Sequence, residues 1–261
     1  MLQKKYNSGH QDLVSIIMPT YNAETYITRS INSVINQTYT EWELIIVDDC
    51  STDKSIDIIL GFEDCRIRFF KNSCNRGAAV SRNRALREAQ GKWIAFLDSD
   101  DIWHPEKLER QIAFMKKNEY AFTFTDYRIQ LNGRWMPYVN TAPDMVDKRK
   151  MYNYCYFSTI TVMYDRDIVG LIQIEDLKKN NDYAMWLQAI EKTNCYRMPQ
   201  CLSYYIKHEN SISSGNKVSL VKWHYILFRR GLHKPALVAV IYTINNLVHG
   251  VIKKIKYKKY V

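Results

Sequence analysis

Residues 14–53 read VSIIMPTYNAETYITRSINSVINQTYTEWELIIVDDCSTD, in which two β-rich apolar runs, VSIIM (14–18) and ELIIVD (43–48), flank a stretch of helical period. Between them Ile27, Ile31, Val34 and Ile35 fall at i, i+4, i+7 and i+8, one face of a helix. The pattern continues outward. IRFFK (67–71) and WIAFLD (93–98) are expected as further strands, and the four runs begin 24 to 29 residues apart. Ser51 is placed to N-cap a helix carrying Ile56, Ile59 and Leu60. A third helix follows Gly77. Pro105 opens a fourth, whose Leu108, Ile112 and Met115 share a stripe. Strands and helices alternating at this spacing predict right-handed βαβ units and a mostly parallel, doubly wound α/β sheet buried on both faces.

The second half is less regular. Strands are expected at 120–129, at 160–164 with one more residue on each side, and at 202–206, with a helix over 181–192. Strands without intervening helices predict a mixed or antiparallel extension of the same sheet. The chain thus divides into an N-terminal extension (1–13), a body (14–215, with halves 14–117 and 118–215) and a tail (216–261).

The 261 residues, 46% hydrophobic and 25% charged, have an ordinary globular composition that excludes long disorder, collagen and coiled coil. The net charge of +10 is confined to the end of the chain. Residues 217–261 hold ten basic side chains and no acidic one, which leaves the body neutral. A nucleic-acid binder spreads its basic residues over the face that follows the phosphates, so no nucleic-acid partner is expected. The six cysteines form no C-x-x-C pair and no zinc spacing. They read as thiols in a reducing compartment. No apolar signal-peptide core precedes residue 14, so a cytoplasmic location is expected.

Ligands of open parallel sheets bind at the carboxyl ends of the strands, and here those ends are polar. The first run ends in Pro19, Thr20, Tyr21 and Asn22, the second in Asp48 and Asp49, the fourth in Asp98, Ser99, Asp100 and Asp101. Carboxylates crowded on one edge repel unless a cation or hydrogen-bond donors neutralise them. Helix capping is the alternative reading of any single one.

VSIIMPTYN (14–22), ELIIVDDCSTD (43–53), NRGAAVSRNRAL (75–86), GKWIAFLDSDDIWHPEKL (91–108) and NDYAMWL (181–187) resemble, in order and spacing, the successive motifs of the family 2 glycosyltransferases of GT-A fold, and within them bacterial transferases of O-antigen, capsule or teichuronic acid. The resemblance spans residues 14 to about 215. It implies a UDP-sugar donor, with Pro19, Tyr21 and Asp48 around the base, and with Arg82, Asn83 and Arg76 near the nucleotide or diphosphate. Asp98 and Asp100 match the D-x-D element, Asp98 and Ser99 toward the nucleotide and Asp100 on a divalent ion, Mn²⁺ or Mg²⁺. Asp182 matches the base of an inverting displacement. Asn181 stands where the family carries Glu, and Trp186 is kept; both are expected beside the acceptor. Capping by Asp182 and a structural role for Arg82 are the alternatives. His208 is a candidate for the metal or diphosphate, and residues 211–215 for a loop over the donor.

In the tail, Leu237, Val240, Ile241, Ile244, Leu247, Val248, Val251 and Ile255 form one helical stripe. Asn245, Asn246 and His249 interrupt the apolar stretch 236–252, which at 17 residues is short for a span. A helix lying in the interface of an anionic membrane is expected, each Lys or Arg adding about 1 kcal/mol. The sequence therefore predicts a metal-dependent, inverting transferase of a hexose, glucose or galactose, from a UDP-sugar to a polyprenyl-diphosphate-linked saccharide, peripheral on the inner face of the membrane. The rivals are a phosphatase using Asp98 and Asp100, and a non-catalytic nucleotide-sugar module or membrane scaffold.

Overall fold

The computed structural model describes residues 12–173, 177, 179–207 and 217–261. The first half alternates as expected: β1 (Val14–Thr20), α1 (Ile27–Ile35), β2 (Trp42–Asp48), α2 (Ser55–Leu60), β3 (Ile67–Lys71), α3 (Ala78–Glu88), β4 (Trp93–Phe96), β5 (Ile102–Trp103) and α4 (Lys107–Asn118). β4, β1, β2 and β3 lie side by side and parallel, with Ile17 opposite Ile45 and Phe96. Successive residues of β1 enter different cores. Ile16 and Met18 pack with Ile27, Ile31, Leu108 and Ile112 on one face of the sheet, whereas Ile17 packs with Ala85, Leu86 and Trp186 on the other. That alternation is why the strands read as unbroken apolar runs. Gly91 permits the close approach of β4 to β1, since a Cβ there would stand 2.5 Å from the Leu13 carbonyl oxygen.

The second half comprises β6 (Phe122–Leu131), β7 (Arg134–Asn140), β8 (Met145–Val146), α5 (Lys148–Asn153), β9 (Val162–Asp165), α6 (Arg166–Val169), α7 (Asn181–Ala189) and β10 (Cys195–Lys207). β9 runs antiparallel to both β4 and β6, β7 antiparallel to β6, and β10 parallel to β6. The sheet is therefore mixed beyond β4. Two local expectations are corrected. Residues 159–161 form a 3₁₀ turn in place of the start of a strand, and Ser51 caps no helix, because α2 begins four residues later.

The tail contains α8 (Lys217–Ile226), a π turn (Leu227–Gly231), α9 (Ala236–Lys256) and β11 (Lys258–Tyr260), which pairs antiparallel with β7. Ala239, Thr243 and Asn246 are buried against the body, and the Asn246 amide donates to the Tyr183 hydroxyl at 2.9 Å. The polar residues that interrupt the apolar stretch thus include the one that faces protein. The opposite face of α9 is open, with Leu237 73% and Ile255 79% exposed and Val240, Ile241, Ile244, Val248, Val251 and Ile252 exposed between them.

Candidate active site

The carboxyl ends of β1, β2 and β4 and the N-terminus of α7 meet on one edge, and hydrogen bonds between their loops fix the rim. After β1, Asn22 takes a left-handed backbone (φ 47°). Its amide oxygen accepts from the Thr52 N–H, and its own N–H donates to Ser51 Oγ. Glu24 N–H donates to Asp53, and Lys54 N–H to Glu24. These reciprocal bonds clamp the loop after β1 to the loop after β2.

Most of the acidic side chains here already have donors. Asp48 is fully buried, and its two oxygens accept from the Ser51 N–H (2.9 Å) and hydroxyl (2.5 Å). Asp49 accepts from the Asn72 amide and from the Arg76 and Gly77 N–H groups, the last at 2.6 Å. Gly77 supplies the positive φ of 88° that turns the chain into α3 there. Asp101, also fully buried, accepts from the Ile206 N–H and so ties β10 to the loop after β4. Burial, with Asp100 and Asp98 nearby, pushes its carboxyl well up.

Arg82 is the hub. Only 7% exposed, it donates to Asp98 at 2.5 Å and to the Asn181 amide oxygen at 3.0 Å, joining the loop after β4 to the start of α7. Burial opposes its charge, but Asp98, Asp182 and Asp100 together more than restore it, so the guanidinium is held above its ordinary value. Asp100 is left unmatched. Burial first, and Asp98 second, raise its carboxyl to about 6, and only its own backbone N–H and the more distant Arg82 favour its charge. Asp182 is half-buried at the first turn of α7, where the Thr159 hydroxyl donates to it at 3.2 Å.

The expected site residues thus separate. Asp98, Asp100, Asp182, Arg82 and Asn181 converge. Tyr21 is 49% exposed at the end of β1, and the Arg76 side chain is exposed at the start of α3. Ser99 lies half-buried between the two aspartates, its carbonyl accepting from Ser30. Asn83 is half-buried on α3 beside Arg82. Four others are enclosed or already bonded. Pro19 is buried within β1 opposite Val47, and Asp48 is buried with both oxygens bonded to Ser51. Asn181 uses its amide on Arg82 and the Leu177 carbonyl. Trp186 has 0% exposure and packs edge-on against Phe96 at 5.1 Å, within the core beneath the sheet. His208 and residues 211–215 lie outside the described residues. Asp49 and Asp101, read above only as polar strand ends, and Thr159, not singled out at all, are further site builders. For the first two the signal was their doubling with Asp48 and Asp100, whereas Thr159 gave none.

Among the described residues no three His, Cys, Asp or Glu side chains gather as a metal cage. The donor set still fits a hard cation shared with a diphosphate, which takes only one or two protein carboxylates and completes its shell with phosphate and water. Asp100, ionised only with difficulty beside Asp98, is the group such a cation would relieve.

Residues 15–171 match Glycosyl transferase family 2. The putative teichuronic acid biosynthesis glycosyltransferase TuaG of Bacillus subtilis is 41% identical over 83% of this chain and 87% of its own length. The Escherichia coli UDP-Glc:alpha-D-GlcNAc-diphosphoundecaprenol beta-1,3-glucosyltransferase WfgD is 38% identical over 92% of this chain and 94% of its own. Among solved structures, S. aureus TarS 1-349 in complex with UDP-GlcNAc superposes with a TM-score of 0.71 at 25% identity, over 87% of this chain and 69% of that one. With that match over most of its body and relatives aligned along most of its length, the chain belongs to glycosyl transferase family 2.

Proposed function

We propose that this glycosyltransferase moves a hexose, glucose or galactose, from a UDP-sugar to a saccharide carried on a polyprenyl diphosphate, with inversion at the transferred carbon. The observation that carries the reading is the gathering of Asp98, Asp100 and Asp182 around one buried guanidinium, Arg82, which bonds Asp98 on the loop after β4 and Asn181, the neighbour of Asp182, on α7. A single displacement needs positive charge at the departing diphosphate, which an acidic edge could supply by holding a cation, and a separate carboxylate for the incoming hydroxyl. Asp182 takes the acceptor proton as the new C–O bond forms and the bond to the UDP oxygen breaks. Thr159 keeps one of its oxygens in place. Arg82 holds α7 at a fixed distance from the loop after β4, so that base and leaving group keep their spacing. Asp100 would hold Mn²⁺ or Mg²⁺, which when bound supplies charge neutralisation for the departing UDP, with Asp98 toward the nucleotide. The names of the relatives support the donor and acceptor classes.

The tail supports a position at the inner membrane surface. α9 is long and apolar enough to cross a bilayer by length and composition. Its Asn246 face is buried in protein, however, which suits a helix lying in the interface with the opposite face in lipid. Arg229 and Arg230 are exposed beside it for anionic headgroups.

The test is transfer of radiolabelled glucose or galactose from the UDP-sugar to N-acetylglucosamine diphosphate on a lipid, with wild type and Asp182→Asn. Loss of a general base lowers turnover by about 10² to 10⁴ with donor binding retained. A variant within a factor of ten of wild type would rule out Asp182 as base. UDP binding with no turnover under any acceptor would favour a non-catalytic module.

A further inference from the structure

We propose that Lys253 is the cation that receives the diphosphate of the lipid-linked acceptor, an inference that rests on the acceptor class proposed above. While the apolar residues of α9 face outward, Lys253, in its last turn, is turned toward the body. Its Nζ lies 5.4 Å from the centre of the Tyr154 ring and 5.9 Å from that of Tyr127. Among the described residues no carboxylate forms an ion pair with it. Burial draws its ammonium down to about 8. The adjacent Lys254 and Lys256 are exposed instead.

Withdrawing an ammonium from water without a carboxylate opposes folding, and aromatic faces offset only part of that. A bound anion would complete the offset. The location suits an acceptor, because Asn246, two turns before Lys253 on α9, donates to the hydroxyl of Tyr183, the residue that follows Asp182 in α7. Gly250, one turn before Lys253, allows this approach; a Cβ there would stand 3.0 Å from Tyr154 Cε2. Tyrosine faces suit the apolar faces of a sugar ring, an ammonium suits phosphate oxygens, and the outer face of α9 suits a hydrocarbon chain. Those are the three parts of a saccharide on a lipid diphosphate.

The experiment compares wild type, Lys253→Met and Lys253→Arg, as full chains, on two acceptors: N-acetylglucosamine joined to an alkyl chain through a diphosphate, and the same alkyl glycoside without it. Lys253→Met should raise the acceptor KM on the diphosphate about ten-fold or more, the loss of one charged hydrogen bond. Donor KM and rate on the plain glycoside should stay unchanged, the melting temperature should not fall, since the charge removed opposes folding, and Lys253→Arg should recover most of the loss. An unchanged KM, or an equal loss on both acceptors, would overturn the proposal. A second measurement does not depend on turnover. In protein reductively ¹³C-methylated on its lysines and saturated with UDP, the resonance missing from Lys253→Met should shift, and titrate at higher pH, when alkyl diphosphate is added. If wild type glycosylates neither acceptor, the acceptor class is wrong on its own account, and absence of that shift would then reject Lys253 separately.

Discussion

Asp100→Asn should make the ligand-free protein more stable at neutral pH while destroying its response to metal and nucleotide. Burial and Asp98 raise the folded carboxyl from 3.8 to about 6. A group raised on folding stabilises the folded state fully below its unfolded value, and that contribution is lost as pH rises through the folded one. At pH 7.5 Asp100 is ionised in both states and opposes folding. The gap is roughly 2 pH units at about 1.4 kcal/mol each, or about 3 kcal/mol. Solvent screening at this half-buried edge reduces it to about 1.5 kcal/mol. For a chain of this size that corresponds to about 3–6 °C in melting temperature. Thermal melts of the two proteins should therefore differ by that amount at pH 7.5 and nearly coincide at pH 4. Adding Mn²⁺ with UDP should reverse the order, because a ligand stabilises only the state that binds it. A variant that melts at or below wild type at pH 7.5 without ligand, or that gains as much from Mn²⁺ and UDP, would refute the assignment of Asp100 as the strained partner of a cation.

Other substitutions probe the framework. Arg82→Met should destabilise by about 3–5 kcal/mol, because it leaves Asp98 without its buried partner and frees the start of α7; chemical denaturation measures this, and a change under 1 kcal/mol would count against the hub. Trp186→Ala should lower stability by about 3–5 kcal/mol as a core cavity, whereas an effect confined to acceptor KM would restore the acceptor role. Lys107, wholly buried with its Nζ 3.6 Å from the Trp103 ring centre, is held well below its ordinary value by burial. The unfolded chain therefore binds the extra proton, and stability should rise with pH toward the unfolded lysine value. Lys107→Met should remove that rise and stabilise by about 1–4 kcal/mol at pH 7, seen as melting curves that no longer shift between pH 7 and 10.

The period of the apolar residues determined the first half of the fold. VSIIM, ELIIVD, IRFFK and WIAFL could be buried on both sides only in a parallel sheet, and the helices between them carry one stripe each. The carboxylate-rich strand ends were equally legible, because polar residues directly after buried strands have few places to go but the sheet edge. Which carboxylate remains available was not. Asp48 and Asp49 stand next to each other in sequence, yet Asp48 is satisfied by Ser51 of its own loop and Asp49 by donors leading into α3, and Asp100 differs from Asp101 only by the direction each side chain takes. Trp186 likewise sits at a motif position whether it faces the acceptor or Phe96. In the tail, periodicity marked the outer stripe of α9, while the hydrogen bond from Asn246 to Tyr183 and the inward turn of Lys253 depend on α5, α7 and β6 packing beneath it. Local periodicity fixes which residues share a face. The partners of a charge come from segments tens of residues away, and only the closed tertiary structure selects them.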